Sequence, residues 1–282
     1  MKNLKIITLF ALLITISCKQ QEGTDVTQAA FPNMQPGSCA IGKWSSTPLN
    51  LKMSSDFDGD FTNSEIVGGL NPLERMAKVW NDAIGANSAL IQVPFASTPL
   101  KGNVALTDFR DGVMGIYKSH NWFTNISSGA LAITQFYGNL ASSPSLGTYV
   151  NLNHADIIFN YRDYNFSTTN GGSWGSYDLS TVLLHEMGHF LGLCHDTQNN
   201  SIMAPYYAGF QQTLKDFDYR KIRALYLNNT NISSKASSAP AANALSLPIG
   251  SPIRGVVELM ADGKCKHYIN GKLVYEHQEK IK

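Results

Sequence analysis

His185-Glu186-Met187-Gly188-His189-Phe190-Leu191-Gly192-Leu193-Cys194-His195 is the stretch on which the reading of this 282-residue chain turns. On a helix, His185 and His189 are four residues apart and share a face, so their imidazoles can reach one ion. Zinc favours nitrogen ligands at roughly 2.0–2.1 Å in a tetrahedron, and two histidines leave it too open. Gly192 accepts the left-handed conformation that ends a helix. The chain can therefore turn and return His195 as a third ligand, with the fourth position left for water. Glu186 neighbours His185 but projects on a different radius. It can hydrogen-bond that water and act as general base, because zinc lowers the pKa of the water to about 7. A bare His-Glu-x-x-His also occurs on ordinary amphipathic helices. Gly192 and His195 make the longer pattern far more specific.

Downstream, Ser201-Ile202-Met203-Ala204-Pro205 supplies a methionine turn, and the combination resembles the metzincin signature. The short interval from His195 to Met203 is similar to that of matrixins. So are Asp178–Leu184 ahead of the zinc helix, Met203–Tyr207, the last helix Leu214–Tyr226 and the strand Ala155–Asn160. Asp196 after the third histidine is an adamalysin feature, but the cysteine-rich insertion of that family is missing, so adamalysins rank second. The resemblance implies an α+β domain: a twisted, mostly parallel sheet with one antiparallel edge strand, the zinc helix beneath, and a small lobe after the third histidine. It implies one catalytic zinc on His185, His189 and His195, with Met203 as an apolar floor. Pro205 and Tyr207 would line the pocket for the side chain after the scissile bond. Ala130–Phe136, with Ala132 and Ile133, would be the edge strand that pairs with an extended protein or peptide substrate, a β-augmentation.

The same resemblance bears on further metals. Animal matrix metalloproteinases add a structural zinc, but here Ile158, Ile133 and Thr134 stand where two of its histidines would be, and His120 alone remains from the loop. Asn160 and Asp163 replace the matching calcium ligands, which leaves Ca2+ open. His120, His154, His267 and His277 have no ligand spacing and read as surface or loop residues. Asp56, Asp58, Asp60 and Glu65 do not make an EF-hand, since Phe61 and Val67 occupy the glycine and glutamate positions. They read as a solvated turn.

Around this centre the chain divides. Lys2 and Lys5 precede the uncharged run Ile6–Ile16, which suits a signal peptide and is too short to span a membrane. Ser17-Cys18 then resembles a bacterial lipoprotein signal, with Cys18 as the lipidated N-terminus and Thr15 as a departure from its pattern. That places the protein outside the cytoplasm: on the outer membrane or cell surface if anchored, otherwise secreted or periplasmic. Residues 1–17 are read as signal, 18–43 as an anchored leader or short propeptide, and 44–228 as the catalytic domain. Residues 229–251, rich in Asn, Ser, Ala and Pro, read as a linker. Residues 252–282 form a small β-meander marked by Asp262-Gly263 and Asn270-Gly271, too small to hold a core alone and so packed on the main domain.

Removing residues 1–17 takes away Lys2 and Lys5 and no acid, leaving 20 basic against 21 acidic side chains. So balanced a chain has no general electrostatic reason to bind nucleic acid. With Cys18 lipidated, Cys39, Cys194 and Cys265 allow one disulfide, and the pairing is open. By the matrixin resemblance, which Pro36-Gly37-Ser38-Cys39 carries only loosely, Cys39 would instead cap the zinc as a latency thiolate. Two functions of different class remain: an active endopeptidase, or a metal-holding binding module. Glu186 favours the first, since binding alone would not need it.

The secondary structure follows from local signals. Asn71-Pro72-Leu73-Glu74 starts a helix with a capping box and proline at the first position. Leu49–Met53, Ala89–Phe95, Val113–Lys118, Ala130–Phe136 and Ala155–Asn160 read as strands. A second helix starts near Asp178 and carries the zinc motif. A third spans 214–227 and should bury Phe217, Ile222, Leu225 and Tyr226.

Overall fold

The computed structural model describes residues 42–85, 88–144, 146–168, 175–196, 200–204, 207–227, 247–261 and 264–278, with the backbone alone at 264, 265 and 274–278. Cys18, Cys39, Pro205, Asp262-Gly263 and most of the expected linker lie outside those residues. In chain order the elements are β1 (Gly42–Trp44), β2 (Lys52–Ser54), α1 (Pro72–Ile84), β3 (Ala96–Thr98) and β4 (Gly115–Ser119). Then come β5 (Ala130–Ser143), β6 (Gly147–Asn160), β7 (Phe166–Ser167), β8 (Tyr177–Asp178), α2 (Leu179–Phe190), α3 (Asp216–Tyr226), β9 (Pro252–Met260), β10 (Lys264–Ile269) and β11 (Lys272–Gln278).

The α+β expectation holds. One sheet runs in the order β11-β10-β9-β5-β6-β4-β2-β3, with β1 also on β6. Its β6-β4-β2-β3 half and β1 are parallel, whereas β5, β9, β10 and β11 are antiparallel to their neighbours. The sheet thus differs from the expectation in two linked respects. Half of its ladders are antiparallel, so it is not mostly parallel with one antiparallel strand. β5 is not an edge strand: β9 pairs with it from Ala130 to Asn139. The C-terminal meander does pack on the main domain, and it does so by extending the sheet.

Local chemistry explains most elements. Asn71 Oδ1 accepts from Leu73 N and Glu74 N, while Glu74 Oε2 accepts from Asn71 N, so the expected capping box starts α1. Asn270 and Gly271 both have positive φ (49° and 76°), as a tight primed turn between β10 and β11 requires. Two extents were underestimated: β5 and β6 form a hairpin of two 14-residue strands, with a register shift at Tyr137/Gly138. One strand was misplaced. Within Ala89–Phe95 only Ile91 makes a bridge, to Leu49, and the strand itself is Ala96–Thr98. The run is apolar because Leu90 and Ile91 are core residues, not because it is a strand.

All twelve residues of α2 are buried, beneath one face of the sheet and against α1. The main core lies in this layer and joins Trp80, Phe136, Ile157, Phe190 and Met203 to Ile253, Val257 and Leu259 of β9. On the opposite face, Phe109, Tyr117, Trp122, Ile133, Ile158, Val256 and Met260 form a second cluster. Ile158 and Ile133 are therefore held by apolar packing. Asp60 joins Lys118 Nζ at 2.6 Å, and Lys118 Nζ also donates to Asp56 O, so the acidic turn is tied down by a lysine. Asn160 and Asp163 satisfy each other, and Asp163 also pairs with Arg162.

Candidate metal centre

The N-terminus of α2 is fixed by Asp178, whose Oδ1 accepts from Thr181 N at 2.7 Å. Its C-terminus is fixed by side chains from distant elements. Trp44 Nε1 donates to Phe190 O and Tyr226 Oη to Leu191 O, both at 2.7 Å, satisfying carbonyls that a helix end leaves open. Gly192 has φ of 95°, and a Cβ there would overlap Gly42 O, so only glycine fits this turn. The chain then reverses and brings His195 back to the helix.

The three imidazoles converge. His185 Nε2, His189 Nε2 and His195 Nε2 lie 3.0, 2.9 and 3.2 Å from one another. Nitrogens on a tetrahedral zinc at roughly 2.0–2.1 Å stand about 3.3 Å apart, so the triad matches one face of such a site. Among the described residues this is the group of metal-type side chains whose donor atoms meet. The outer nitrogens complete the fit. His185 Nδ1 is 2.7 Å from Ile202 O, and His189 Nδ1 is 2.9 Å from Leu193 O. A proton on each Nδ1 leaves each Nε2 lone pair for the metal. Met203 is fully buried, and a Cβ on Gly188 would overlap its Sδ; glycine there lets the methionine pack against α2.

The third outer nitrogen was not foreseen. His195 Nδ1 lies 2.6 Å from His267 Nε2, on β10. His267 is no surface residue: it is buried, and its ring meets that of His195 at 4.7 Å. Only its pairing through β9 brings it here, and no spacing in the sequence signals that. His154 is likewise buried, with Nε2 2.8 Å from Asp156 Oδ2 and 3.0 Å from Phe109 O. It braces the opposite face of the sheet. His120 is exposed, as expected. The side chain of His277 is outside the described set.

Glu186 follows His185 and is 0% exposed. Thr134 Oγ1, on β5, donates to Glu186 Oε2 at 2.5 Å. Burial pushes the Glu186 carboxyl up to about 8, against the lowering effect of the Thr134 bond. Burial pushes His185 down to about 4 and His189 well below its usual range, so both are neutral, the form that binds metal.

Around the site, Asp196 N donates to Met203 O at 2.7 Å, and Asp196 Oδ2 meets Lys221 Nζ at 2.7 Å in a buried pair. The departure at Asp196 thus ties the third histidine to the methionine turn and to α3. Asp218, missed from sequence, is fully buried and accepts from Ser201 Oγ and Ile202 N. Phe217, expected in the core, is half-exposed beneath Arg220. Tyr207 Oη accepts from Asp178 N, and its ring packs on Tyr177, close to the start of α2. Ala132 and Ile133 are fully buried on β5 between β6 and β9. Cys194 is disulfide-bonded.

The comparisons agree with this geometry. The family model described as Matrixin matches residues 109–227. Karilysin of Tannerella forsythia is 34% identical over 94 residues, covering 33% of this chain and 18% of that protein. Matrix metalloproteinase-C of Caenorhabditis elegans is 28% identical over 207 residues, covering 69% of this chain and 30% of that protein. Matrix metalloproteinase-19 of Mus musculus is 40% identical over 57 residues, covering 20% of this chain and 11% of that protein. The chain spans less than a third of the length of each of these relatives. His185, Glu186, His189 and His195 all lie within the stretch that the Matrixin model matches.

Proposed function

We propose that the protein is a zinc-dependent endopeptidase that hydrolyses peptide bonds of proteins bound in extended form. The observation that carries this reading is the convergence of three imidazoles, with Glu186 next to His185 on the same helix and its carboxylate held by Thr134. Bound zinc would supply Lewis-acid polarisation of a carbonyl and a water of lowered pKa. His185, His189 and His195 would hold it, each oriented through its outer nitrogen. Glu186 takes a proton from the attacking water and delivers it to the leaving amine. A carboxyl whose affinity for protons is raised by burial suits both steps. Glu186→Gln should lower hydrolysis of casein by ~10²–10⁴ while zinc content stays unchanged. A folded, zinc-loaded variant with near-normal activity would refute the assignment.

Pro205 and Tyr207 are proposed as the wall of the pocket for the residue after the scissile bond. The support for Tyr207 is its place beside the first turn of α2. Export and anchoring rest on Lys2, Lys5, Ile6–Ile16 and Ser17-Cys18. Among the described residues no helix is long and apolar enough to cross a membrane, and acyl chains on Cys18 would hold the protein at the cell surface. The mature protein should partition into detergent and begin at residue 18. A soluble product beginning elsewhere would rule the anchor out.

A further inference from the structure

Glu186 must meet a water and a peptide, yet it is 0% exposed, and His185 and His189 are 3% and 1% exposed. No polypeptide reaches the carboxylate in this conformation. What seals it can be read across the sheet. Ile116, Ile157, Thr134, Val257 and His267 are register partners on successive strands β4, β6, β5, β9 and β10. Ile116, Ile157 and Val257 all point into the layer that holds α2. From this same row Thr134 grips Glu186 and His267 reaches His195. The row therefore passes over the reacting groups, and its last two members belong to the C-terminal meander.

An extended peptide passing Glu186 beside Thr134 would need backbone partners, and the free side of β5 is the place to find them. Nine positions of that side, from Ala130 to Asn139, pair with β9. The strand is fitted closely: at Gly255 a Cβ would overlap the ring of Phe136, itself 1% exposed in the core. Ile253, Val257 and Leu259 fill the same core from β9.

We propose that β9–β11 is a built-in occupant of the peptide-binding side of β5, tied to the metal centre by His267, which holds the enzyme latent until it is displaced. This rests on the endopeptidase reading and adds its regulation. Displacement frees the β5 backbone, opens Glu186 to solvent and gives the His195 outer nitrogen to water.

The test uses the full chain and labelled casein as probe. Gly255→Val drives a branched side chain into Phe136 and should lift β9. A second variant, Asn139→Cys with Pro252→Cys, places thiols at the exposed ends of the paired strands, where a disulfide locks them. In a Glu186→Gln background, casein anisotropy should show at least tenfold tighter binding with Gly255→Val than without it. Amide exchange should quicken along β5 and β9 while α2 stays protected. With Glu186 intact, the locked chain should cleave casein at least tenfold more slowly than Gly255→Val. Equal casein binding with and without Gly255→Val would overturn the proposal, as would a locked chain as active as its unlocked form. Should Gly255→Val fail to fold, the locked and unlocked forms of the second variant decide alone. If binding responds but no chain with Glu186 cleaves casein, latency of the site stands and the endopeptidase reading falls.

Discussion

Thr134 shows how much one side chain can decide. It is fully buried, and it gives its single proton to a carboxyl that burial pushes up to about 8 even with this bond lowering it. Thr134→Val keeps the shape and removes the donor. The proton affinity of Glu186 should then rise further, moving the acidic limb of the kcat/KM profile to higher pH. Because a charge-assisted hydrogen bond is worth ~1.5–3 kcal/mol, activity near pH 7 should fall by about tenfold or more. A pH–rate profile identical to that of the parent chain would show that Thr134 does not aim the base. The sequence made Glu186 and the triad legible because their roles depend on helical spacing. It left Thr134 legible only as a missing histidine, and His267 as a surface residue. Both act on side chains more than fifty residues away, which no local pattern encodes.

At the scale of elements, α3 does more than cover the core. Its buried Asp218 accepts from Ser201 Oγ, Ile202 N and Lys215 N, holding the methionine turn against the helix start. Asp218→Ala would orphan these donors at ~1–3 kcal/mol for each one left buried. A lowered melting temperature and faster zinc release to a chelator should follow. Asp218→Asn, which retains an acceptor oxygen, should lose less. Equal losses for the two would argue against a hydrogen-bonding role. Helices α1, α2 and α3 were all readable from caps and periodicity, since helices are specified locally. Strands were readable as segments but not as neighbours. Val256–Leu259 read as a short β-like run, and nothing in it announced β5 as the partner or a core on both of its faces.

For the molecule as a whole, the buried histidines set the response to acid. Burial holds His185 at about 4 and His267 at about 3, both below the ordinary 6.5, and His189 follows them. Each contributes stability above pH 6.5 that is lost as pH falls through its folded value. Glu186 works the other way: raised to about 8, its contribution is present below 4.5 and lost as pH rises through 8. The metal-free chain should therefore be most stable close to pH 6.5 and weaken on both sides. Melting temperatures of chelator-treated protein from pH 4 to 9 would check this, a steady rise or fall across the range being the contrary result. Elemental analysis should give one zinc per chain. Two tightly held ions would require a second set of ligands.

The pairing of β9 with β5 also sets an order of events at birth. Strands β5 and β9 are separated by more than a hundred residues, and the triad is complete before β9 is made. A chain emerging N-terminus first can assemble α2, the turn at Gly192 and the methionine turn while some fifty residues, 228–278, are still to come. At ~5–20 residues per second that leaves roughly 3–10 s. Through that interval the side of β5 is an unpaired strand, open to any neighbouring chain. The newborn protein is thus briefly adhesive and uncovered until β9 is made and seated on β5.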